Sequence, residues 1–334
     1  MKILARLTIV LAGVAMVVGA GFAQGGQKPL LLVANQGDHT LSLIDPATGK
    51  QIAAVPVGGV TGHEVAVSQD GKLAYVPIYG DSGVGRAGTD GSTMAVIDLA
   101  ARKVVATLDF GHGVRPHMPL VEPVSGLLYV TTELDKAVTI IDPKTLKIVG
   151  KIPTGQEQSH MLVVSHDGKR GYTANVGPGT VSVLDMVARK TIAVIPISGT
   201  TQRISMSRDG SMVFTADQTK PQVAVIVTAT NKVKTWIPLP AVGYGSTPTL
   251  DGKWLLVQMG PVKQVAVIGL GTMKVSRTID VPAGSGEILM RPDGKVAYVS
   301  CPIDGKVAEI DLSTWKVVRL IDAGTKADGL AWVK

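Results

Sequence analysis

Short apolar runs broken by turn residues dominate the chain from residue 30 onward, and they recur in a fixed order. Val65-Ala66-Val67 leads into the turn Asp70-Gly71, and a second apolar run follows from Leu73 to Pro77. A polar loop leads to a third run, Met94 to Ile97, and a turn carrying Lys or Arg to a fourth, Val104 to Leu108. Asp-Gly between two apolar runs is a strong hairpin signal. The pair recurs at Asp167-Gly168, Asp209-Gly210, Asp251-Gly252 and Asp293-Gly294, each 42 residues after the last. Ser125-Gly126, 42 residues before Asp167, is a degenerate copy, and an insertion of about 13 residues separates it from the Asp70 copy. A β-run ending in Ile-Asp or Leu-Asp marks the same period at Asp45, Asp98, Asp142, Asp185 and Asp311. Thr228 and Gly269 are expected to fill that position in the copies that lack the acid.

Four antiparallel strands per period describe a propeller blade. The innermost strands begin near His63, His117, His160, Gln202, Tyr244, Gly286 and Asp328, so there are seven. The last, Gly329 to Val333, has no blade after it, while the first three runs, Leu30 to Val57, lack an innermost partner. The two ends are therefore expected to complete one blade. The reading is all-β: a seven-bladed β-propeller of four-stranded antiparallel blades, closed by the C-terminal strand. It forms a single domain over residues 24–334. Closure removes the open sheet edges that invite aggregation.

The segment Leu128-Tyr129-Val130-Thr131-Thr132, followed by Ala137 to Asp142, resembles the YVTN repeat. Leu32-Val33-Ala34-Asn35 with Leu41 to Asp45, and Gly171 to Asn175 with Val181 to Asp185, are related copies. The mature chain is similar to the secreted YVTN-repeat propellers, relatives of the lactonase-type seven-bladed propellers. That resemblance implies the fold, but its members differ in function. The propeller domain of nitrous-oxide reductase is similar in fold and uses rings of His for copper.

Composition agrees with a strand-and-turn protein. Of 334 residues 45% are apolar and 39 are Gly, while aromatics are only 4%. Lys2 and Arg6, the apolar run Leu7 to Ala20, and the small residues at Gly19-Ala20 or Phe22-Ala23 form the three parts of a secretory signal. Residues 1–23 are read as that signal, cleaved after Ala20 or Ala23, with an uncleaved anchor as the alternative. The expected location is secreted or periplasmic, with no membrane span after cleavage. The formal charge of +7 falls to +5 without Lys2 and Arg6 and is spread along the chain, so no nucleic-acid partner is expected. The single Cys301 excludes an intramolecular disulfide. A monomer is expected.

The candidate chemistry comes from aligning the seven innermost strands on their hairpins. The leading position reads Asp328, His63, His117, His160, Gln202, Tyr244 and Gly286 around the ring. The next reads Gly329, Glu64, Met118, Met161, Arg203, Gly245 and Glu287. Three imidazoles and a carboxylate on adjacent strands suit a divalent transition metal, Zn or Cu, held by His63, His117, His160 and Asp328. Such a site weakens as imidazole protonates near its ordinary value of about 6.5. A metal-free pocket would draw its ligand contacts from Glu64, His112, Arg115, Arg203, Tyr244 and Glu287. The insertion Tyr79 to Gly91 lies on the same mouth and is a candidate lid. His39 is expected in a hairpin loop of that mouth without a partner, and His166 on the opposite face. Cys301 is expected just after a β-run and part buried.

Three functions follow. The first is an extracytoplasmic binding protein with a His-rich pocket for a metal, a small molecule or a protein at the channel mouth. The second is a lactonase-like hydrolase, with Glu64, His117, Arg203 and Glu287 as candidate catalytic groups. The third is a copper- or redox-associated propeller.

Overall fold

The computed structural model describes residues 28–334, so the proposed signal, residues 1–23, lies outside them. The described residues form 28 strands, numbered β1 to β28 in chain order, in seven four-stranded antiparallel sheets. No helix among them is long and apolar enough to cross a membrane.

Each sheet is one blade, and successive strands pair by hairpins. Blade 1 alone is composite, with spatial order β28 (Ala327–Val333), β1 (Leu30–Asn35), β2 (Thr40–Asp45), β3 (Lys50–Pro56). The closing ladder pairs Leu30 with Val333, Leu31 with Trp332, Leu32 with Ala331 and Val33 with Leu330. The C-terminal strand thus completes the N-terminal blade, as the strand count required.

The core explains why middle strands are apolar on both faces. It consists of seven clusters, one between each pair of neighbouring blades. Leu32, Leu43 and Val76 belong to the cluster between blades 1 and 2, and Tyr298, Val307 and Leu330 to that between blades 7 and 1. Middle strands such as LLLVAN are buried throughout, whereas outer strands such as KVVATLD alternate between exposed and covered.

Turn chemistry supports each repeat. In four of the five Asp-Gly hairpins the Asp accepts a hydrogen bond from a Ser or Thr two residues earlier, as Ser165 to Asp167 and Ser207 to Asp209, while Asp293 accepts from Arg291 Nε. The Gly takes φ of 70° at Gly168 and Gly210, a left-handed conformation a larger residue adopts at a cost. The Ile-Asp acids cap the next turn: Asp45 accepts from Ala47 N–H and Asp142 from Lys144 N–H. In blade 5 the residue that pairs with the first residue of the outer strand, Lys232, is Val227, not Thr228. Thr228 therefore lies one residue past the marker position, which the 42-residue period from Asp185 to Gly269 puts at Val227. Cys301 lies within β25 (Val296–Cys301), fully buried, and burial pushes its thiol up to about 12.

The closing strand feeds two inter-blade clusters, so removing residues 327–334 exposes both and leaves β1 an open edge. The truncated chain is expected to lose cooperative unfolding by circular dichroism. A melting temperature equal to that of the intact chain would contradict closure by β28.

Candidate functional site

Four neighbouring blades enter their innermost strands in an unusual way. Two residues before Asp328, His63, His117 and His160 stand Lys326, Thr61, Arg115 and Gln158, with φ of 56°, 52°, 49° and 54°. None is Gly, so each costs on the order of 1 kcal/mol of backbone strain. An extra residue in each innermost strand follows: Pro116 and Pro119 pair with Thr132 and Val130, and Ser159 and Met161 with Asn175 and Ala174. The same shift occurs around Asp328, and blade 2 carries it between the Gly62–Ile78 bridge and the Ala66–Tyr75 pair. Kink and bulge together re-aim a side chain. They turn the three histidines and Asp328 into the channel mouth.

The imidazoles come together. His117 and His160 have ring centroids 3.5 Å apart, and His63 lies 5.1 Å from His117. Tyr79 packs against all three at 4.8, 5.6 and 6.1 Å. His117 and His160 are 2% and 1% exposed. Burial holds all three neutral over most of the pH range: it lowers His63 to about 4, drives His117 well down, and lowers His160 despite Glu133 beside it. The ordinary imidazole value near 6.5, expected from sequence, therefore does not apply to this cluster.

Amides and a carboxylate hold these rings. Gln36 Nε2 donates to His63 Nδ1 at 3.3 Å and to Asp328 Oδ2 at 2.5 Å. Gln202 Nε2 approaches His160 Nε2 at 3.0 Å. Tyr79 OH donates to Glu133 Oε2 at 2.6 Å, and His160 Nδ1 stands 3.5 Å from the same oxygen. Burial pushes Glu133 up, but His160, Tyr79 and Arg115 outweigh it and keep the carboxyl below its ordinary value. His117 Nδ1 is buried without a partner. Among the described residues, no group of three or more His, Cys, Asp or Glu side chains converges with metal-holding geometry.

Below the imidazoles lies an ion cluster. Arg203, on blade 5, reaches across the channel to Glu64 Oε1 at 2.7 Å and Asp328 Oδ1 at 2.8 Å, through Nη2 in both cases. Its guanidinium lies 5.3 Å from the Tyr244 ring centroid. Glu287 Oε2 accepts from Leu330 N–H at 2.5 Å. Burial raises Glu64 well above the carboxylate range and Glu287 to about 7, against the pull of Arg203. Glu64, Arg203 and Glu287 thus share the mouth assigned to them, committed chiefly to one another and to Asp328. Asp328 joins this cluster through Arg203, standing 3.9 Å from His63 Nδ1.

The insertion is shorter as a loop than its sequence suggested. Tyr79 and Gly80 end β5 (Leu73–Gly80), and Asp90 and Gly91 begin β6 (Asp90–Asp98), which leaves residues 81–89. This loop crosses the mouth from blade 2 toward blade 4. Gly85 lies so near Gln158 that an added Cβ would sit 2.9 Å from its Nε2. Arg115 of blade 3 fixes the loop, donating to Asp90 Oδ1 at 2.6 Å, Arg86 O at 2.7 Å and Gly83 O at 3.3 Å. Arg115 is thus occupied in holding the loop. His112 is exposed and pairs with Asp135 at 2.8 Å, outside the cluster. His39 is exposed, and His166 bonds Arg208 O at 2.9 Å on the hairpin face.

Sequence reasoning missed Gln36, Tyr79 and Glu133. Superposing the middle strands shows why they belong together. All three are the residue directly after the Asn35, Ile78 and Thr132 position, on blades 1, 2 and 3. The alignment that found the histidines, continued one strand further, carries that signal. The flanking polar loops and the insertion obscured it.

Two measurements check this geometry. Arg203→Met leaves buried carboxylates without their cation and is expected to cost about 3–5 kcal/mol in urea unfolding; a loss under about 1 kcal/mol would remove the bridge from the account. His63 titrates lower folded than unfolded, so the unfolded chain binds the extra proton. Stability should fall as pH drops below the unfolded value of 6.5 and level off near 4, with a histidine NMR signal unprotonated down to about 4. A normal titration near 6.5 for all six histidines would contradict the burial.

No family model matches the chain, and no curated protein matches it. Solved structures share its fold. A hydrazine synthase of Kuenenia stuttgartiensis is similar at TM-score 0.73 and 20% identity, covering 85% of this chain and 92% of its own. A functionally unknown protein from Desulfotomaculum acetoxidans is similar at TM-score 0.75 and 14% identity, covering 91% and 98%. The dihydro-heme d1 dehydrogenase NirN, in complex with DHE, is similar at TM-score 0.68 and 17% identity, covering 90% and 74%. At these identities the likeness concerns the fold.

Proposed function

We propose that this chain is an extracytoplasmic binding protein of the YVTN-propeller type whose channel mouth holds a divalent transition metal, Zn or Cu, through His63, His117 and His160. The observation that carries the reading is the cluster of three neutral imidazoles from consecutive blades, with His117 and His160 buried and His63 partly so. A buried polar nitrogen with no hydrogen-bond partner is costly, and His117 Nδ1 and His160 Nδ1 are two such atoms. His63 Nδ1 and His160 Nε2 meet only glutamine N–H groups, at Gln36 and Gln202. A cation takes the place of such donors. Glu133 beside His160 Nδ1 resembles the carboxylate partners that orient metal-ligating histidines.

The side chains do not converge on one point as they stand, so loading requires the rings to turn and the two glutamine amides to release them. Rings packed at 3.5 to 6.1 Å leave no gap among them for an organic molecule, and an ion would enter only as they turn. A small polar organic ligand is the second reading, favoured by the reach of the 81–89 loop over the mouth. Export rests on the pattern in residues 1–23.

The mature protein, stripped with chelator and titrated with Zn²⁺ and Cu²⁺, is expected to bind about one ion per chain by calorimetry and elemental analysis. The His117→Ala/His160→Ala variant should lose at least tenfold in affinity, while His166→Ala should match the wild type. Equal metal content in the wild type and in a His63/His117/His160 triple alanine variant would overturn the metal reading.

A further inference from the structure

On the far side of Arg203 from the histidines the central channel opens into a separate cavity of about 310 Å³. This is the low end of the range for small-molecule sites, about 300–1,000 Å³. It runs from the level of Arg203 and Glu287 to Val164, Met206 and Pro248, which lead toward the hairpins of the opposite face. Its walls are largely apolar, with Met118, Met161, Met206, Ile204 and Ile288 among them. Methionine suits such a wall because its thioether is polarizable and its chain adapts to the occupant.

The polar groups of this cavity are unequally committed. Ser205 and Ser246 bond each other at 2.7 Å, and Thr247 donates to Ile288 O at 2.6 Å. Arg203 places Nη2 on Glu64 and Asp328, while its Nε and Nη1 have no partner. Glu287 accepts one backbone N–H, from Leu330. The groups facing one another here are therefore three carboxyls, Glu64, Asp328 and Glu287, and a single guanidinium. Asp328 matches Arg203. Arg203 is bonded to Glu64 as well, so the carboxyl in excess is Glu287, which lines the apolar cavity and meets no cation at salt-bridge distance among the described residues.

We infer that this cavity is a second binding site, for a small amphipathic organic cation: an ammonium group on Glu287 and an aliphatic body against the methionines. A cation there neutralises the excess carboxylate, and a neutral analogue of the same shape gains only the apolar contact. An anion meets the acidic excess, with the free Nε and Nη1 of Arg203 as its sole attraction.

The test uses three probes of one shape, n-hexylammonium, 1-hexanol and hexanoate, added to the mature protein labelled with ¹³C at its methionine methyls. The ammonium is expected to shift the Met118, Met161 and Met206 signals and to bind about ten- to hundredfold tighter than the alcohol, the value of a charge-assisted hydrogen bond. Hexanoate should bind more weakly than either. Glu287→Gln should abolish the preference for the ammonium while leaving the alcohol as it was. Met206→Phe, which narrows the hairpin end without touching the ion cluster, should weaken both, and the methyl spectrum reports folding of each variant. Equal binding of ammonium and alcohol, preference for hexanoate, unshifted signals from these three methionines, or an unchanged preference in Glu287→Gln would each overturn the inference. Failure of metal binding at the histidines leaves it untouched.

Discussion

Arg203 crosses the channel from blade 5 to Asp328 on the closing strand and Glu64 on blade 2. A propeller closed by non-covalent strand pairing has one weak seam, where the chain ends meet. Here an ion bridge ties that seam to the opposite side of the ring. Burial makes the bridge expensive to break, because either partner left alone is an uncompensated charge. The same side chain divides the channel, with neutral imidazoles above it and an apolar cavity below.

Strained backbone builds the histidine half. Lys326, Thr61, Arg115 and Gln158 adopt left-handed conformations in the four blades that carry Asp328 and the histidines. At the matching positions of blades 5 to 7, Thr200 and Val242 are not left-handed, and the third residue is a glycine, Gly284, with φ of 117°. Strain kept at matching positions in adjacent repeats, and absent from the others, is the kind that accompanies a functional arrangement. Arg115 serves twice: its backbone makes the kink before His117, and its guanidinium secures the loop over the mouth. Through Glu133, 3.7 Å from Arg115 Nη1, the loop is also linked electrostatically to His160.

The repeat period made the architecture legible, because hairpin turns need Asp-Gly and middle strands need apolar residues on both faces. The leading positions of the innermost strands were legible for the same reason: a repeat protein converts sequence spacing into a ring of neighbours. What stayed hidden depended on contacts between blades. Tyr79 read as the start of an insertion but is fully buried against three histidines. Glu133 is a single acid directly after a strand, and nothing local shows that it meets Tyr79, 54 residues away. Arg203 was visible as a charge at the mouth, but not as a bridge to a strand 125 residues later. His112 looked close to His117 in sequence and faces solvent, because the left-handed turn at Arg115 separates them.

The proposed metal site rests on three imidazoles that burial keeps neutral. Anomalous diffraction at the zinc edge, from crystals of the mature protein soaked in Zn²⁺, tests this most directly. The account predicts a single strong peak at the channel mouth, bonded to nitrogens of His63, His117 and His160, with the Gln36 and Gln202 amides turned aside. Strong peaks confined to surface groups such as His39, His112 and His166, with the buried rings unmoved, would contradict it.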